Sequence, residues 1–394
     1  MAPSPFKKKN ALPLLNFTGD QGNPQDIYKS ATASESKMSG PIVSSATKSQ
    51  AIRYTISKAW PPFRVSAEPL NLTITMCDIY RTQVQDEDPN KLFAKAQKCL
   101  MDISDCPPSE AATDIIEKQL KHNMIRVIFG GNMIERVGLG LDETWKLCER
   151  IFAGEDVDNI DERTPDYMAK LAECHKNTPG SDFKTMPIKG FIRGRREVVQ
   201  HAKAFQLMMY WVVSLDIPIS EQLIRNVHYI LCKGTPIVGG NDTLTPWEEY
   251  AGRYRKVHVG AGTTMFTPPK FVEKQMKELV DDLNAELNKA REEEKLDPFA
   301  FAAKYSMRFV QIHPFQDGNG RICRILLNVL LCKFAGIVVP IGETEEDRDE
   351  YIRIKKTSSE EAEDHGEYAT FVLSKCETRL RALKKKLTAL VKNN

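Results

Sequence analysis

The chain has 394 residues, room for two or three domains or for one large domain with extensions. Hydrophobic residues make up 41% and charged residues 27%, an ordinary balance for a soluble globular protein. A net charge of +2 excludes strong bulk attraction to nucleic acid or to a membrane surface.

Every apolar run is interrupted well short of the roughly 18 residues that a membrane helix needs. The segment Met1–Lys9 lacks the apolar stretch that follows it in a secretory signal. The nine cysteines, Cys77, Cys99, Cys106, Cys148, Cys174, Cys232, Cys323, Cys332 and Cys376, form no C-x-x-C pair and are odd in number. They read as free thiols of a reducing compartment, so the expected location is the cytoplasm, with the nucleus as the alternative. Cys323 reads as a small buried hydrophobe before it reads as a redox centre.

Residues 1–50 are rich in Ser, Lys, Pro, Gly, Asn and Thr and read as a flexible, irregular arm, with Lys7-Lys8-Lys9 as a solvated charge run. Residues 51–115 form an extension of mixed structure. Within it Leu70–Met76 alternates like a short strand, although it also suits the opening of a helix, and Asp88-Pro89-Asn90 introduces a helix over Lys91–Leu100. Residues 116–194 form a helical region. Its first helix starts at Pro108-Ser109 and carries Ile115, Ile116, Leu120 and Met124 towards Ile128-Phe129; Gly130-Gly131-Asn132-Met133-Ile134-Glu135-Arg136 follows.

Residues 195–378 carry a further series of helical patterns. It opens with a helix from Arg195 to Val213, in which His201 reads as packing, and continues with a helix capped by Ser220, in which His228 reads as structural. In Gly252–Pro269, Val257 and Val259 alternate, a glycine turn follows and Pro268-Pro269 closes the unit, which predicts a short β-hairpin. A long helix over Phe271–Glu294 precedes a second one, Phe299–Val310, introduced by Asp297-Pro298. The closing helix of the series is expected over Glu367–Cys376, and the lysine-rich run 379–394 reads as an exposed helix face or tail.

The chemistry concentrates in His313-Pro314-Phe315-Gln316-Asp317-Gly318-Asn319-Gly320-Arg321-Ile322-Cys323-Arg324. Ile322, Ile325, Leu326, Val329 and Leu330 recur at helical spacing, so Gly318-Asn319-Gly320 sits where a loop becomes a helix N-terminus. Unpaired N–H groups and partial positive charge at such an end favour phosphate. Two glycines allow close backbone approach, and Arg321 and Arg324 add planar donors for phosphate oxygens. Asp317 suits a Mg²⁺ held by one carboxylate and substrate phosphates, and His313 accepts a proton near neutral pH. A lone glycine turn or a lone histidine is usually structural; all of these before one apolar helix is hard to obtain from packing needs alone.

The stretch resembles the signature of Fic domains, His-x-Phe-x-(Asp/Glu)-Gly-Asn-Gly-Arg-x-x-Arg, at every defined position. The resemblance implies a core over residues 195–378, an all-α helical fold with a small β-hairpin flap, and transfer of AMP from ATP to a Ser, Thr or Tyr hydroxyl of a target protein. It makes His313 the general base, Asp317 the Mg²⁺ ligand, Gly318, Asn319, Gly320 and Arg321 the phosphate cradle, and Arg324 the contact to the terminal phosphate. Phe315 becomes a core anchor. Retention of Gly320 favours nucleotidyl transfer over the kinase-like branch.

Many relatives carry an inhibitory helix with the pattern (Ser/Thr)-x-x-x-Glu-(Gly/Asn). The preferred register here puts Glu135 against Arg324, with Gly131 at the Ser/Thr position and Arg136 after the glutamate; a competing register places Gly130-Gly131-Asn132 over the end of the pattern and leaves no glutamate. The unit from Gly252-Arg253-Tyr254-Arg255 to Pro268-Pro269 resembles the flap that pairs with target backbone, which makes Thr263, Thr264, Met265 and Phe266 its docking edge. Self-modification and a homodimer are further expectations, and no nucleic-acid partner or membrane span is expected. The alternatives are dominant removal of AMP, another nucleotide donor, or a nucleotide-regulated interaction module.

Overall fold

The computed structural model describes residues 72–81, 88–106, 109–155, 157, 169, 188–239, 243–261, 264–360 and 365–392. The predicted arm 1–50, Cys174 and Thr263 lie outside the described residues. What is described is helical, with three pairs of two-residue strands, as the all-α expectation requires.

In chain order the elements are β1 (Thr73–Ile74), α1 (Pro89–Ser104), α2 (Glu110–Ile134), α3 (Leu141–Phe152), α4 (Ile188–Met209), α5 (Glu221–Cys232), β2 (Ile237–Val238), β3 (Leu244–Thr245) and α6 (Trp247–Tyr250). They continue with β4 (Gly260–Ala261), β5 (Thr264–Met265), α7 (Pro269–Glu293), β6 (Lys295–Leu296), α8 (Pro298–Ile312), α9 (Asn319–Ala335), α10 (Glu345–Glu360) and α11 (Gly366–Lys392). The helix starts follow from side-chain capping of otherwise unpaired N–H groups. Asp88 accepts from Asn90 N, Ser109 from Ala112 N, Ser220 from Leu223 N, and Asp297 from Phe299 N and Ala300 N.

The centre of the molecule is α9. Every residue from Arg321 to Lys333 is buried, because α9 packs on α8, α2, α4 and α5 at once. The periodicity predicted one apolar face; the structure encloses the polar face as well. Burying Asn328 is tolerated because its amide donates to Arg324 O at 3.0 Å and accepts from Val339 N at 2.6 Å. Gly336, at φ 62°, ends the helix in the left-handed conformation.

The described part of the N-terminal extension fastens onto α8. Parallel pairing of β1 with β6 joins Thr73 to Lys295 and Ile74 to Leu296. Asp297, the cap of α8, also accepts from Cys77 N at 3.0 Å and from the Tyr80 hydroxyl at 2.8 Å. Helix α1 lies along α11. Helix α4 begins at Ile188, earlier than the predicted Arg195, and runs on into a π-turn over Tyr210–Ser214. Helix α11 is unbroken through residues 378 and 379. None of the described helices is long and apolar enough to cross a membrane.

The hairpin departs from its predicted register. Its strands are Gly260–Ala261 and Thr264–Met265, with Gly260 opposite Met265 and Ala261 opposite Thr264, so Val257 and Val259 precede the strand instead of forming it. Extended outward, this register would set Val257 opposite Pro268, which has no N–H to donate, and the Val257 carbonyl accepts from the Arg255 guanidinium at 2.9 Å.

Candidate active site

Helix α8 delivers His313, which caps its C-terminus in the left-handed conformation (φ 51°) while its N–H donates to Phe309 O at 3.1 Å. The ring Nδ1 lies 3.1 Å from Val310 O. That contact assigns the proton to Nδ1 and leaves Nε2 as an acceptor. The Phe266 ring stacks on the imidazole at 3.7 Å and 13°. Burial pushes the His313 pKa down to about 4; the bond to Val310 O opposes this, and the nearby Arg255 charge adds to it. At neutral pH the imidazole is therefore uncharged and able to take a proton.

The next turn is braced from inside. Phe315 is fully buried and stacks on His228 at 3.6 Å. Asn319 closes the loop with both ends of its amide, accepting from Phe315 N at 2.9 Å and donating to Phe315 O at 2.8 Å. Its side chain is thus committed, and what it can offer a ligand is its N–H in the first turn of α9. His228 Nε2 donates to Asp317 O at 2.9 Å and Nδ1 accepts from Gly252 N at 2.8 Å, so both nitrogens serve the fold. His201, fully buried with Nδ1 at 2.9 Å from Asn132 Oδ1, is likewise a packing residue. Gly318 takes φ 77°, the conformation that turns the chain into α9 and that a side chain would strain.

Two arginines rise from α9 beneath this turn. Arg321 is 4% exposed, its Nη2 is 3.6 Å from the Asp317 carboxylate, and its Nε and Nη1 have no hydrogen-bond partner among the described residues. Arg324 is 2% exposed; its Nη2 donates to Gly131 O at 2.9 Å and to Glu135 Oε1 at 2.6 Å, and its Nε is unpartnered among the described residues. Tyr351 lies under the Arg324 guanidinium, 5.7 Å from carbon to ring centre. Buried guanidinium N–H groups left without acceptors at a helix N-terminus make a place for an anion. Asp317 lies at the rim, and no group of three or more His, Cys, Asp or Glu side chains gathers to hold a metal among the described residues.

Glu135 caps the C-terminus of α2. Its carboxylate lies both on Arg324 and against the Gly320 backbone, where an added Cβ would collide with Glu135 Oε1. The register that leaves no glutamate is not the one the structure holds. Instead Gly131 turns its carbonyl to Arg324, and a Cβ there would stand 2.8 Å from His201 Cε1. Arg136 has φ 56° and a fork to Glu345 at 2.6 and 2.7 Å. A left-handed residue at this position fits the Gly or Asn of the resembled pattern, since those residues tolerate it best.

Of the described flap residues, Met265 is exposed, Thr264 and Phe266 are half-buried, and Phe266 stacks on His313. The stacking of Phe266 on the imidazole was not foreseeable from spacing. Nor was the role of Tyr351, 27 residues beyond Arg324.

The sequence pattern of the Fic/DOC family matches residues 218–331, and a Fido domain-containing protein of Dictyostelium discoideum is 43% identical over 103 residues, which span 67% of that protein and 26% of this chain. The chain belongs to the Fic/DOC family. Two further relatives are named protein adenylyltransferases: that of Caenorhabditis elegans, 39% identical over 105 residues, and that of Nematostella vectensis, 34% identical over 131. The chain matches 26% and 33% of its own length to these two and spans 18% and 28% of theirs. The Fic fold is shared with a Fic domain-containing signaling protein of Bacteroides thetaiotaomicron (TM-score 0.53, 18% identity, 77% of this chain and 97% of that one). It is also shared with Fic-1 of C. elegans (TM-score 0.52, 20% identity, 78% of this chain and 74% of that one).

Proposed function

We propose that this Fic site transfers the AMP part of ATP to a Ser, Thr or Tyr hydroxyl of a protein, and that Glu135 inhibits it. The observation that carries the reading is the pairing of an uncharged His313, with Nε2 available, and a helix N-terminus lined by buried, unpartnered arginine donors. The naming of relatives as protein adenylyltransferases supports the same chemistry.

In this reading His313 Nε2 takes the proton of the target hydroxyl, whose oxygen attacks the α-phosphorus. The bond from the α-phosphorus to the bridging oxygen breaks and pyrophosphate leaves. The first N–H groups of α9, with Arg321, hold the charge that develops on the phosphates, and Arg324 holds the terminal one. Asp317 would hold Mg²⁺: a single carboxylate at the rim of a phosphate site is the protein share of a Mg²⁺ whose other ligands are substrate oxygens and water. When bound, the ion would neutralise phosphate charge. The hairpin edge Thr264–Phe266, with Thr263 beside it, would present the target.

Glu135 acts in this scheme by occupation. Its carboxylate takes the Arg324 donor and the space over Gly320 that a phosphate needs. The position of this carboxylate against Gly320 at the head of the phosphate cradle favours a second reading: Glu135 activates a water and the enzyme also removes AMP.

Incubation of wild type and Glu135→Gly with α-labelled ATP and Mg²⁺, followed by intact mass, tests the proposal. One or more AMP additions, larger in the variant, are expected, and the mass of the chain itself reports self-modification. If neither protein labels itself or an added protein pool, the transferase reading fails. Release of AMP from a labelled chain by wild type but not by Glu135→Gly would establish the reverse reaction.

A further inference from the structure

Arg255 lies outside the helices and strands and takes no part in the chemistry above, yet it is 4% exposed and touches both halves of the site. Its guanidinium donates to four main-chain carbonyls: His313 O from Nε at 2.6 Å, Val257 O from Nη1 at 2.9 Å, and Thr267 O and Ile312 O from Nη2, the last at 3.3 Å. Its own N–H donates to Pro314 O at 2.9 Å. Ile312, His313 and Pro314 are the turn that holds the imidazole. Val257 and Thr267 are the two feet of the β4–β5 hairpin, and Phe266, beside Thr267, stacks on that imidazole.

Among the described residues Arg255 makes no ion pair. Backbone carbonyls of the described residues accept four of its five guanidinium N–H donors. The guanidinium is planar and rigid, and carbonyls bound along its edges are fixed relative to one another. A lysine, with three donors on one atom, cannot span both feet of a hairpin and the turn beside them. The bonds to Ile312 and His313 also hold the backbone on either side of the left-handed His313.

We propose that Arg255 is a positioning residue that locks the hairpin and the His313 turn into one body, so that a hydroxyl carried on the hairpin edge meets His313 Nε2 at a set distance. This rests on the transferase reading. An error of about 1 Å in such an approach costs on the order of 100-fold in rate.

The test places Arg255→Met and Arg255→Lys in the Glu135→Gly chain. The limiting rate of AMP incorporation into the chain falls about 10- to 100-fold in both, while the Kd for ATP changes less than twofold; lysine restores little. Amide hydrogen exchange on the full chain supplies a readout independent of turnover. In both variants it quickens together at 257–261, at 264–267 and at 310–316, while α9 stays protected. Phe266→Ala quickens the hairpin alone. Exchange confined to one of the two segments, or an ATP affinity that falls in step with the rate, overturns the proposal. If the Glu135→Gly parent transfers no AMP, the functional reading fails, and the exchange data still decide whether Arg255 couples the two segments.

Discussion

Two helix ends face each other across the site, the N-terminus of α9 and the C-terminus of α2, and they are held in different ways. The α9 end is braced largely by its own neighbours: Asn319 clasps Phe315 four residues back and Arg321 faces Asp317 at the same interval, while His228 and Arg255 add contacts from elsewhere in the core. The α2 end is held by residues far along the chain. Gly131 O and Glu135 take Arg324, and Ile134 O takes Arg348 Nε at 3.1 Å, partners separated by 193, 189 and 214 positions. A terminus braced within itself needs a fixed string of residues. A terminus braced from outside keeps only those contacts that its distant partners demand.

The sharpest break of this comparison is at the α9 side. His313→Ala in the Glu135→Gly chain should lower AMP incorporation by about 10²- to 10⁴-fold while ATP titration shows affinity kept within a few-fold. On the α2 side, Glu135→Gly alone should raise incorporation by about tenfold or more, with Glu135→Gln between, because the amide keeps a hydrogen bond to Arg324 and loses the charge. Equal incorporation in all three would make the Glu135–Arg324 contact purely structural.

The pH profile separates the base from its cover. With His313 pushed down to about 4, protonation removes the base only near that pH. The rate should therefore hold as pH falls from about 7 to 5 and then drop, whereas an unperturbed histidine would lose activity near 6.5. Phe266→Ala opens the imidazole to water and should move that midpoint upward. A midpoint that stays in place would show that Phe266 is not part of the burial that lowers it.

Stability effects come next. A Cβ at Gly130 would collide with the Ile341 carbonyl oxygen, which is backbone and cannot swing aside. Gly130→Ala should cost about 1–3 kcal/mol by thermal or urea unfolding, although alanine would gain up to about 1 kcal/mol in a free helix. Gly131→Ala meets the His201 side chain at 2.8 Å, which can give, and should cost less. The smallest effect belongs to Arg136→Gly. Relief of the left-handed arginine, about 1–2 kcal/mol, is offset by loss of the exposed Glu345 pair and by glycine's greater chain entropy. Melting should move little, and a large rise in AMP incorporation would instead mark the Arg136–Glu345 pair as a holder of Glu135.

The parts legible in the sequence are those whose bonds close over a few residues. Asp88, Ser109, Ser220 and Asp297 announce helix starts because a cap bonds two or three positions ahead. The string from His313 to Arg324 is readable for the same reason. The hairpin strands were misplaced because the pairing register, Gly260 opposite Met265, sets Val257 against Pro268, a cross-strand relation that alternation along one strand cannot reveal. The attachment of the N-terminal extension was also hidden, since it depends on Tyr80 and Cys77 meeting Asp297 across more than 200 positions.

By itself the sequence determined an all-α chain, the helix that carries the anion site, and the residues at its N-terminus, because hydrophobic period, caps and loop braces are local interactions. The tertiary structure decided between the two registers by setting Glu135 on Arg324, and it alone decided that both arginines are buried with donors to spare and that Arg255 joins the hairpin to the base. Those outcomes depend on where separate helices pack. A charge or a carbonyl finds its partner only after burial has brought distant segments within about 3 Å of each other.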